Sequence, residues 1–301
     1  MNAVAVAAKK EVIKEDAMWL KKELINPNYH EVATAHASGR KVSATFVPGN
    51  LNELLMCVDF ARRLPETDAL QNGMRKKSGK MIMDAERDGH SEDVCTYVKT
   101  DLGMMLQGET GPTGEPMPHP DVLLLSYTGC FTFMKWFELV RQKYDCETVM
   151  LHVPYQGDGR INPAMREYVV KQLKEKVIPT LERVSGVKFD IDRLREYMKE
   201  SQKAEEDLVS VLQSAKNRPS PIDGYFGAVY YIGPIFTAFR GTPEAAQYHA
   251  RPFAQVSVQA TRCAPCSSPV SERSSSRRVT ARDGSSGTGP ELNALSRSLV
   301  W

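Results

Sequence analysis

Apolar side chains in the first 250 residues recur at two spacings, which predict alternating strands and helices. A two-residue alternation or a short continuous apolar run predicts a strand, and a three-to-four-residue repeat predicts a helix. The predicted strands are Lys41–Val47, Val122–Leu125 and Thr148–Val153. The predicted helices are Glu11–Ile25, Asn52–Leu64, Phe131–Tyr144, one that begins at Asn162 and Pro163, and one that begins at Asp190.

This alternation predicts an α/β fold. We expect a mainly parallel sheet flanked by helices, of the Rossmann or flavodoxin-like kind, with an N-terminal helix and additional long helices. The chain divides into three predicted parts: an N-terminal helical arm over residues 1–38, an α/β region over 39–250, and a tail over 254–301.

The tail differs sharply in composition from the chain that precedes it. Residues 254–301 contain 11 serines and six arginines but no lysine, and they show neither a helical nor a strand repeat. Such a composition predicts disorder. The change resembles translation of a GC-rich gene in the wrong reading frame. We favour that interpretation over a genuine Ser/Arg tail, because the globular sequence stops within an element at GTPEAAQYHARPF.

Charge and cysteine content narrow the class of protein. A formal net charge of +2 over 301 residues is typical of neither a nucleic-acid-binding nor a membrane-surface protein. The N-terminus lacks the apolar core of a signal peptide, and no apolar stretch approaches the length of a transmembrane helix. Six irregularly spaced cysteines do not form a disulfide framework. We therefore expect a cytoplasmic protein with reduced thiols.

The carboxyl ends of the predicted strands are the expected place for a ligand. Three segments follow strands there: Pro48-Gly49-Asn50, Tyr127-Thr128-Gly129-Cys130, and the run from Pro154 to Gly159. In parallel α/β sheets, ligands gather at this edge. These segments form the predicted site.

Two cysteines lie at predicted helix starts and are the candidate metal ligands. Cys130 follows a glycine and opens a helix, and Cys95 is expected in the first turns of a helix capped by Ser91. Helix N-termini favour thiolates, which can hold iron, zinc or a redox disulfide. The spacing of 35 residues fits no zinc-finger pattern. From the residues alone, buried structural cysteines are the more common interpretation.

Other candidate motifs have simpler interpretations. Cys57 lies on an apolar helix and is interpreted as a buried structural cysteine, and Cys146, in KYDCETV, is interpreted as a structural or surface cysteine. The Cys263-x-x-Cys266 pair lies in the tail and lacks a second pair for zinc. The segment GMRKKSGK fails as a phosphate loop because five residues separate its glycines and Met81 stands where Ser or Thr is required.

Two further features lie near the predicted site. His152 ends a strand, and Tyr155 follows at its carboxyl edge. A general acid is possible there, but we favour a hydrogen-bonded structural histidine. The aromatic segment GYFGAVYYIGPIFTAFRG is interpreted as core or a subunit interface in preference to an acyl pocket.

Four long phrases resemble a known family. They are FVPGNLNELLMC, NGMRKKSGKMIMDAERDGHSEDVCTYVK, LLLSYTGCFTFMKWFELVRQKYDCETVMLHVPYQGDG and SAKNRPSPIDGYFGAVYYIGPIFTAFRGT. They resemble the 2-hydroxyacyl-CoA dehydratase family, in the branch of subunits that reduce benzoyl-CoA. The resemblance runs from about Lys10 to about His249 and does not extend into the tail.

The resemblance implies an oxygen-sensitive enzyme of four subunits. Two related subunits would carry [4Fe-4S] clusters and reduce the ring of benzoyl-CoA to a cyclohexadiene-carboxyl-CoA. Two others would form an ATPase that binds ATP and Mg²⁺ and drives electrons from ferredoxin. The resemblance also implies three cysteine ligands for each cluster. Cys95 and Cys130 match the first two, and the third belongs to a C-terminal half that this sequence lacks.

The cavity around such a cluster is expected to include Thr128, Gly129 and Tyr155. Two alternatives stay open at this point. One is a 2-hydroxyacyl-CoA dehydratase subunit, which removes water through a ketyl radical on the thioester. The other is a non-catalytic fragment that only binds sister subunits, which the missing third cysteine favours.

Overall fold

Four parallel strands form the sheet at the centre of the computed structural model. The strands are β1 (Val42–Thr45), β2 (Ala61–Arg63), β3 (Val122–Tyr127) and β4 (Glu147–His152), in the order β2-β1-β3-β4. Every pairing within this order is parallel. The structure describes residues 23–46, 51–127, 131–155, 162–217 and 239–248, together with 220, 222 and 250.

Helices surround the sheet. They are α1 (residues 23–34), α2 (Asn52–Cys57), α3 (Pro65–Met74), α4 (Ser78–Arg87), α5 (Thr96–Leu106), α6 (Phe131–Lys143), α7 (Pro163–Gln172), α8 (Ile178–Ser185), α9 (Ile191–Ser214) and α10 (residues 243–248). A π-helical turn, Leu173–Val177, joins α7 to α8. No helix within the described ranges is long and apolar enough to cross a membrane.

Strand β3 shows why both faces of the sheet are covered. Leu123 and Leu125 pack into a core with α5 and α6, whereas Val122 and Leu124 pack into a second core with α2 and α8. Side chains alternate between the faces of a strand, so a continuous apolar run requires a cover on each side. The predicted α/β fold with a parallel sheet is therefore confirmed.

The predicted helix Asn52–Leu64 is wrong in its second half. Helix α2 ends at Cys57, and the chain turns through Asp59, whose φ is +58°. Residues Ala61–Arg63 then pair with Val42–Ala44 of β1 and form β2. This short strand carries two arginines and no strand pattern, so pairing with β1 determines its conformation.

Other boundaries differ in detail. The predicted helix end at Ile25 is wrong, because α1 continues to residue 34 and buries Tyr29 and Val32. The predicted caps are confirmed: Asn162 Oδ1 accepts from Ala164 N at 2.9 Å, and Asp190 Oδ1 accepts from Asp192 N at 2.8 Å.

A buried arginine joins three helices to the edge of the sheet. Arg63 Nε donates to Asp68 Oδ2 of α3 at 3.1 Å, and Arg63 Nη2 donates to Asp101 Oδ1 of α5 at 3.2 Å. Trp136 Nε1 of α6 donates to Asp101 Oδ2 at 2.8 Å. All four side chains are buried. We call this set the Arg63 cluster.

Burial and charge oppose each other within the Arg63 cluster. Burial alone would lower the pKa of Arg63, but the carboxylates of Asp101 and Asp68 raise it above its ordinary value. Burial raises the pKa of Asp101 to about 6, against the opposing effect of Arg63. Tyr29 of α1 completes the set, because its hydroxyl donates to Asp68 Oδ1 at 2.9 Å.

Helices α4 and α5 approach each other closely at one glycine. A Cβ atom added at Gly103 would lie 2.0 Å from the carbonyl oxygen of Met81. Only glycine allows this backbone contact, which fixes α5 against α4.

We expect Asp101→Ala to lower the free energy of unfolding by about 3–5 kcal/mol, because it leaves a buried guanidinium with one carboxylate fewer. Urea denaturation of the purified chain measures this. The control is Glu138→Ala on α6, which removes an exposed pair with Arg141 and should cost less than about 1 kcal/mol. Equal effects of the two variants would contradict a structural role for the Arg63 cluster.

We expect Gly103→Ala to destabilise the chain by about 3 kcal/mol or more, because backbone atoms cannot yield as side chains do. Gly79 offers a matched control within α4, where a Cβ would have no neighbour within 4 Å. Gly79→Ala should be neutral or stabilising by up to about 1 kcal/mol. Thermal unfolding compares the two, and a tolerated Gly103→Ala would disprove the close contact.

Candidate functional site

The carboxyl edge of the sheet contains a point where the strand order reverses. From β1 the chain passes to β2 on one side, and the next strand, β3, pairs on the other side of β1. Such reversals leave a crevice outside the carboxyl ends of the two central strands. Of the predicted segments that follow β1 and β3, Pro48-Gly49-Asn50 and the residues Thr128, Gly129 and Cys130 lie outside the described residues.

Cys95 is the N-cap residue of α5, immediately before Thr96. Its φ of −45° and ψ of 130° are extended, and its side chain makes no capping hydrogen bond. The prediction that Ser91 caps this helix is wrong: Ser91 Oγ accepts from Asp93 N at 3.2 Å and closes a turn before the helix. Cys95 is exposed and immediately precedes the first turn of α5, whose amide groups have no partner within the helix.

The chain around Cys95 packs toward the ends of β1 and β3. Val94 and Val98, on either side of the cysteine, belong to the same core as Phe46 and Phe133. Phe46 follows β1, and Phe133 lies in the first turn of α6, with 5.6 Å between their ring centroids. The start of α5 thus packs into the same core as the residue that follows β1 and the first turn of α6.

The hydrogen bond from Trp136 to Asp101 joins α6 to α5 at corresponding positions in their sequences. Asp101 is six residues after Cys95, and Trp136 is six residues after Cys130. The indole nitrogen and the carboxylate oxygen are 2.8 Å apart. Helices α5 and α6 are therefore joined at equal distances along the chain from the two predicted ligands.

A buried lysine holds the segment that leads into Cys95. Lys99 Nζ donates to Glu86 Oε1 of α4 at 2.6 Å and to the carbonyl oxygen of Glu92 at 2.7 Å. Tyr97 lies in the same turn, and burial, followed by the nearby Cys95 and Glu66, raises the pKa of its hydroxyl. Acidic, basic and phenolic groups thus surround the first turn of α5.

The remaining described cysteines are unlike Cys95. Cys57 is fully buried in α2 and Cys146 is half-buried. Burial raises the pKa of each thiol to about 11. This agrees with their interpretation as structural or surface cysteines. Within the part of the chain that the structure describes, no three His, Cys, Asp or Glu side chains form a metal-sized group.

His152 is the last residue of β4, and Tyr155 follows the strand at its carboxyl end. Tyr155 is 91% exposed, and Phe131 at the start of α6 is 81% exposed. His152 Nδ1 lies 3.3 Å from the Tyr168 hydroxyl of α7, and Gln172 bonds both backbone groups of His152. The favoured interpretation of His152 as a hydrogen-bonded structural histidine agrees with these contacts.

Of three other features of the sequence, one lies among the described residues. The basic run Arg75-Lys76-Lys77 is exposed. Most of the aromatic segment over residues 224–241 lies outside the described residues. The pair Cys263 and Cys266 lies outside them as well.

Sequence reasoning did not identify Lys99, Asp101 or Arg63. The available signal was the segment VKTDLGMML, in which a lysine and an aspartate interrupt an apolar helix without the spacing of an exposed face. Charged residues are rarely fully buried unless they are paired. That rule could have marked Lys99 and Asp101, but it could not have named their partners.

Comparison with known proteins identifies a family. The profile of the family described as 2-hydroxyglutaryl-CoA dehydratase, D-component, matches residues 46–266. The match thus includes both predicted cysteine ligands and reaches the first part of the predicted tail, whereas residues 267–301 lie outside it.

Curated proteins show the same relationship. The chain is 70% identical over 239 residues to a benzoyl-CoA reductase subunit of Thauera aromatica, and the alignment covers 79% of this chain and 55% of that protein. It is 30% identical over 239 residues to the (R)-2-hydroxyisocaproyl-CoA dehydratase alpha subunit of Clostridioides difficile, covering 78% and 56%. It is 29% identical over 182 residues to the (R)-phenyllactyl-CoA dehydratase alpha subunit of Clostridium sporogenes, covering 60% and 44%. The chain spans about half the length of these relatives.

We expect iodoacetamide at pH 8 to alkylate Cys95 about a hundredfold faster than Cys57, because Cys95 is exposed whereas burial suppresses the Cys57 thiolate. Mass spectrometry of tryptic peptides after timed labelling measures each cysteine separately. Cys146 should also react slowly. Comparable rates at Cys57 and Cys95 would show that the buried thiol is not protected as described.

Proposed function

The chain belongs to the 2-hydroxyglutaryl-CoA dehydratase D-component family, and we propose that it serves in a subunit of an iron–sulfur enzyme that reduces the ring of benzoyl-CoA. The observation that carries this proposal is the 70% identity to a protein named as a benzoyl-CoA reductase subunit. The product would be a cyclohexadiene-carboxyl-CoA. The substrate is proposed to bind at the carboxyl edge of the sheet, where the order of β1 and β3 reverses.

We propose Cys95 and Cys130 as two ligands of a [4Fe-4S] cluster. Cys95 is suited to bind iron, because it is exposed, its side chain makes no capping hydrogen bond, and it lies at the N-terminus of an eleven-residue helix. The partial positive charge at that terminus favours a bound cluster of negative charge. The six-residue register around the Trp136–Asp101 hydrogen bond supports Cys130 as the second ligand.

The described residues contribute binding and shielding at this edge. Phe46, Phe133 and Trp136 pack together beneath it and keep water out of the core between α5 and α6. Tyr155, with Thr128 and Gly129, is proposed to line the cavity on the solvent side. When bound, the cluster supplies a single electron of very low potential to the thioester-conjugated ring.

The proposed assembly contains further chains. We propose that this subunit pairs with a related sister subunit and that two ATPase subunits, with ATP and Mg²⁺, drive electrons from ferredoxin. The chain spans about half the length of its relatives, and we propose a third cysteine ligand in addition to Cys95 and Cys130. The non-catalytic interpretation predicts that this chain binds sister subunits but holds no iron.

A second candidate function is dehydration of a 2-hydroxyacyl-CoA. Two relatives at 29% and 30% identity carry that name, and so does the family profile. The much higher identity to the reductase subunit favours ring reduction. Assays of benzoyl-CoA and of a 2-hydroxyacyl-CoA, with the ATPase subunits present, separate the two reactions.

We expect Cys95→Ser and Cys130→Ser each to lower the iron bound by this chain at least tenfold, measured as the excess over the sister subunits purified without it, because each removes a thiolate ligand. The chain is co-expressed with its sister subunits, purified without oxygen, and assayed for iron and for visible cluster absorbance. Cys146→Ser is the matched control and should keep its iron. Retention of iron and absorbance in the Cys95 and Cys130 variants would disprove the ligand assignment.

A further inference from the structure

Lys99 is a buried cation that the family comparison leaves without a role. Only 3% of its surface is exposed. Its ammonium group reaches across the start of α5 to two acceptors, Glu86 Oε1 at 2.6 Å and the Glu92 carbonyl oxygen at 2.7 Å. Burying an ammonium group is costly unless it is paired and hydrogen-bonded, so these contacts define where the segment can lie.

The segment that Lys99 contacts is the loop over residues 88–95, which ends at Cys95. At its start, Gly89 has a φ of +100°, and His90 N donates to the Ala85 carbonyl at 3.1 Å. Near its end, Val94 N donates to the Ser91 carbonyl at 3.2 Å and the Val94 side chain packs on the core. Between these points, the Glu92 carbonyl is held by Lys99.

Lys99 also lies one helical turn beyond Cys95. Its backbone N–H donates to the Cys95 carbonyl at 3.2 Å, while its side chain bonds the chain three residues before the cysteine. Lys99 therefore bonds the chain both at Cys95, through its backbone, and three residues before it, through its side chain. The ion pair between Lys99 and Glu86 also joins this part of the chain to the end of α4. Helix α4 is itself fixed against α5 by the close contact at Gly103.

We propose that Lys99 is a positioning residue for the Cys95 thiolate, an inference that rests on the proposed role of Cys95 as a cluster ligand. Lys99 need not touch the cluster or the substrate. It fixes the N-cap conformation of Cys95 by fastening the preceding loop to α4 and α5. A compact ammonium with three donors suits two acceptors on separate segments, and an aliphatic side chain of similar length would bond neither.

The test uses Lys99→Met in the full chain and measures hydrogen exchange by mass spectrometry. We expect amide exchange in the peptide over residues 88–99 to become about tenfold faster, because two charge-assisted hydrogen bonds are lost. Peptides from β3 and α9 should be unchanged. Iron bound after anaerobic reconstitution with the sister subunits should fall, and Lys99→Arg, which keeps the charge, should restore part of it.

Lys80→Met is the matched control. Lys80 Nζ bonds Asp84 Oδ2 at 2.7 Å on the exposed side of α4, with 69% of its side chain in solvent. We expect neither loop exchange nor iron content to change. If Lys99→Met does not fold, Glu86→Gln keeps the side-chain size and should produce a smaller increase of exchange over the same peptide.

The outcomes separate this inference from the proposed function. Unchanged exchange over 88–99, faster exchange throughout the chain, or faster loop exchange with full iron content would each overturn the positioning role. If Cys95→Ser keeps its iron, the ligand assignment itself fails. Local loosening together with iron loss in Lys99→Met, and iron loss in Cys95→Ser, supports both.

Discussion

The two carboxylates that share the Arg63 guanidinium are the interaction on which the arrangement of α3, α5 and α6 depends. Asp68 and Asp101 approach from different helices, and Trp136 of α6 bonds the second carboxylate. Removal of Arg63 would leave two buried carboxylates without their cation, and removal of either carboxylate would leave the guanidinium with one partner fewer. The hydrogen bonds therefore allow few positions for the three helices relative to one another.

The parallel sheet and the Arg63 cluster act together at that edge. The sheet brings the ends of β1 and β3 side by side, and the apolar side chains of β3 require helices on both faces. The hydrophobic effect alone would allow α5 to slide along α6 by part of a turn, because it is not directional. The bond between Asp101 and Trp136 sets their register and thereby the level at which both helices begin.

Sequence patterns predicted the elements with strong local signals. Strands β3 and β4, helix α6 and the caps Asn162 and Asp190 follow from an apolar run, a helical repeat and side-chain oxygens at helix starts. Strand β2 was missed because three residues with two arginines become a strand only through pairing with β1. Of the candidate site, Cys95 lies at a helix start as the sequence predicted, whereas its exposure and its N-cap position were not foreseen. The roles of Cys130, Thr128 and Gly129 stay predictions.

The different exposure of the described cysteines determines where oxidation would begin. Cys95 is exposed at the start of α5, while Cys57 and Cys146 are withdrawn from solvent and kept as thiols by their raised pKa. Sulfenic acid forms first at accessible thiolates, and burial delays it elsewhere. An oxidant such as hydrogen peroxide would therefore modify the start of α5 before it reaches Cys57 or Cys146. The fold would persist while Cys95 was modified, and reductant added at that stage would restore the thiol on an intact scaffold.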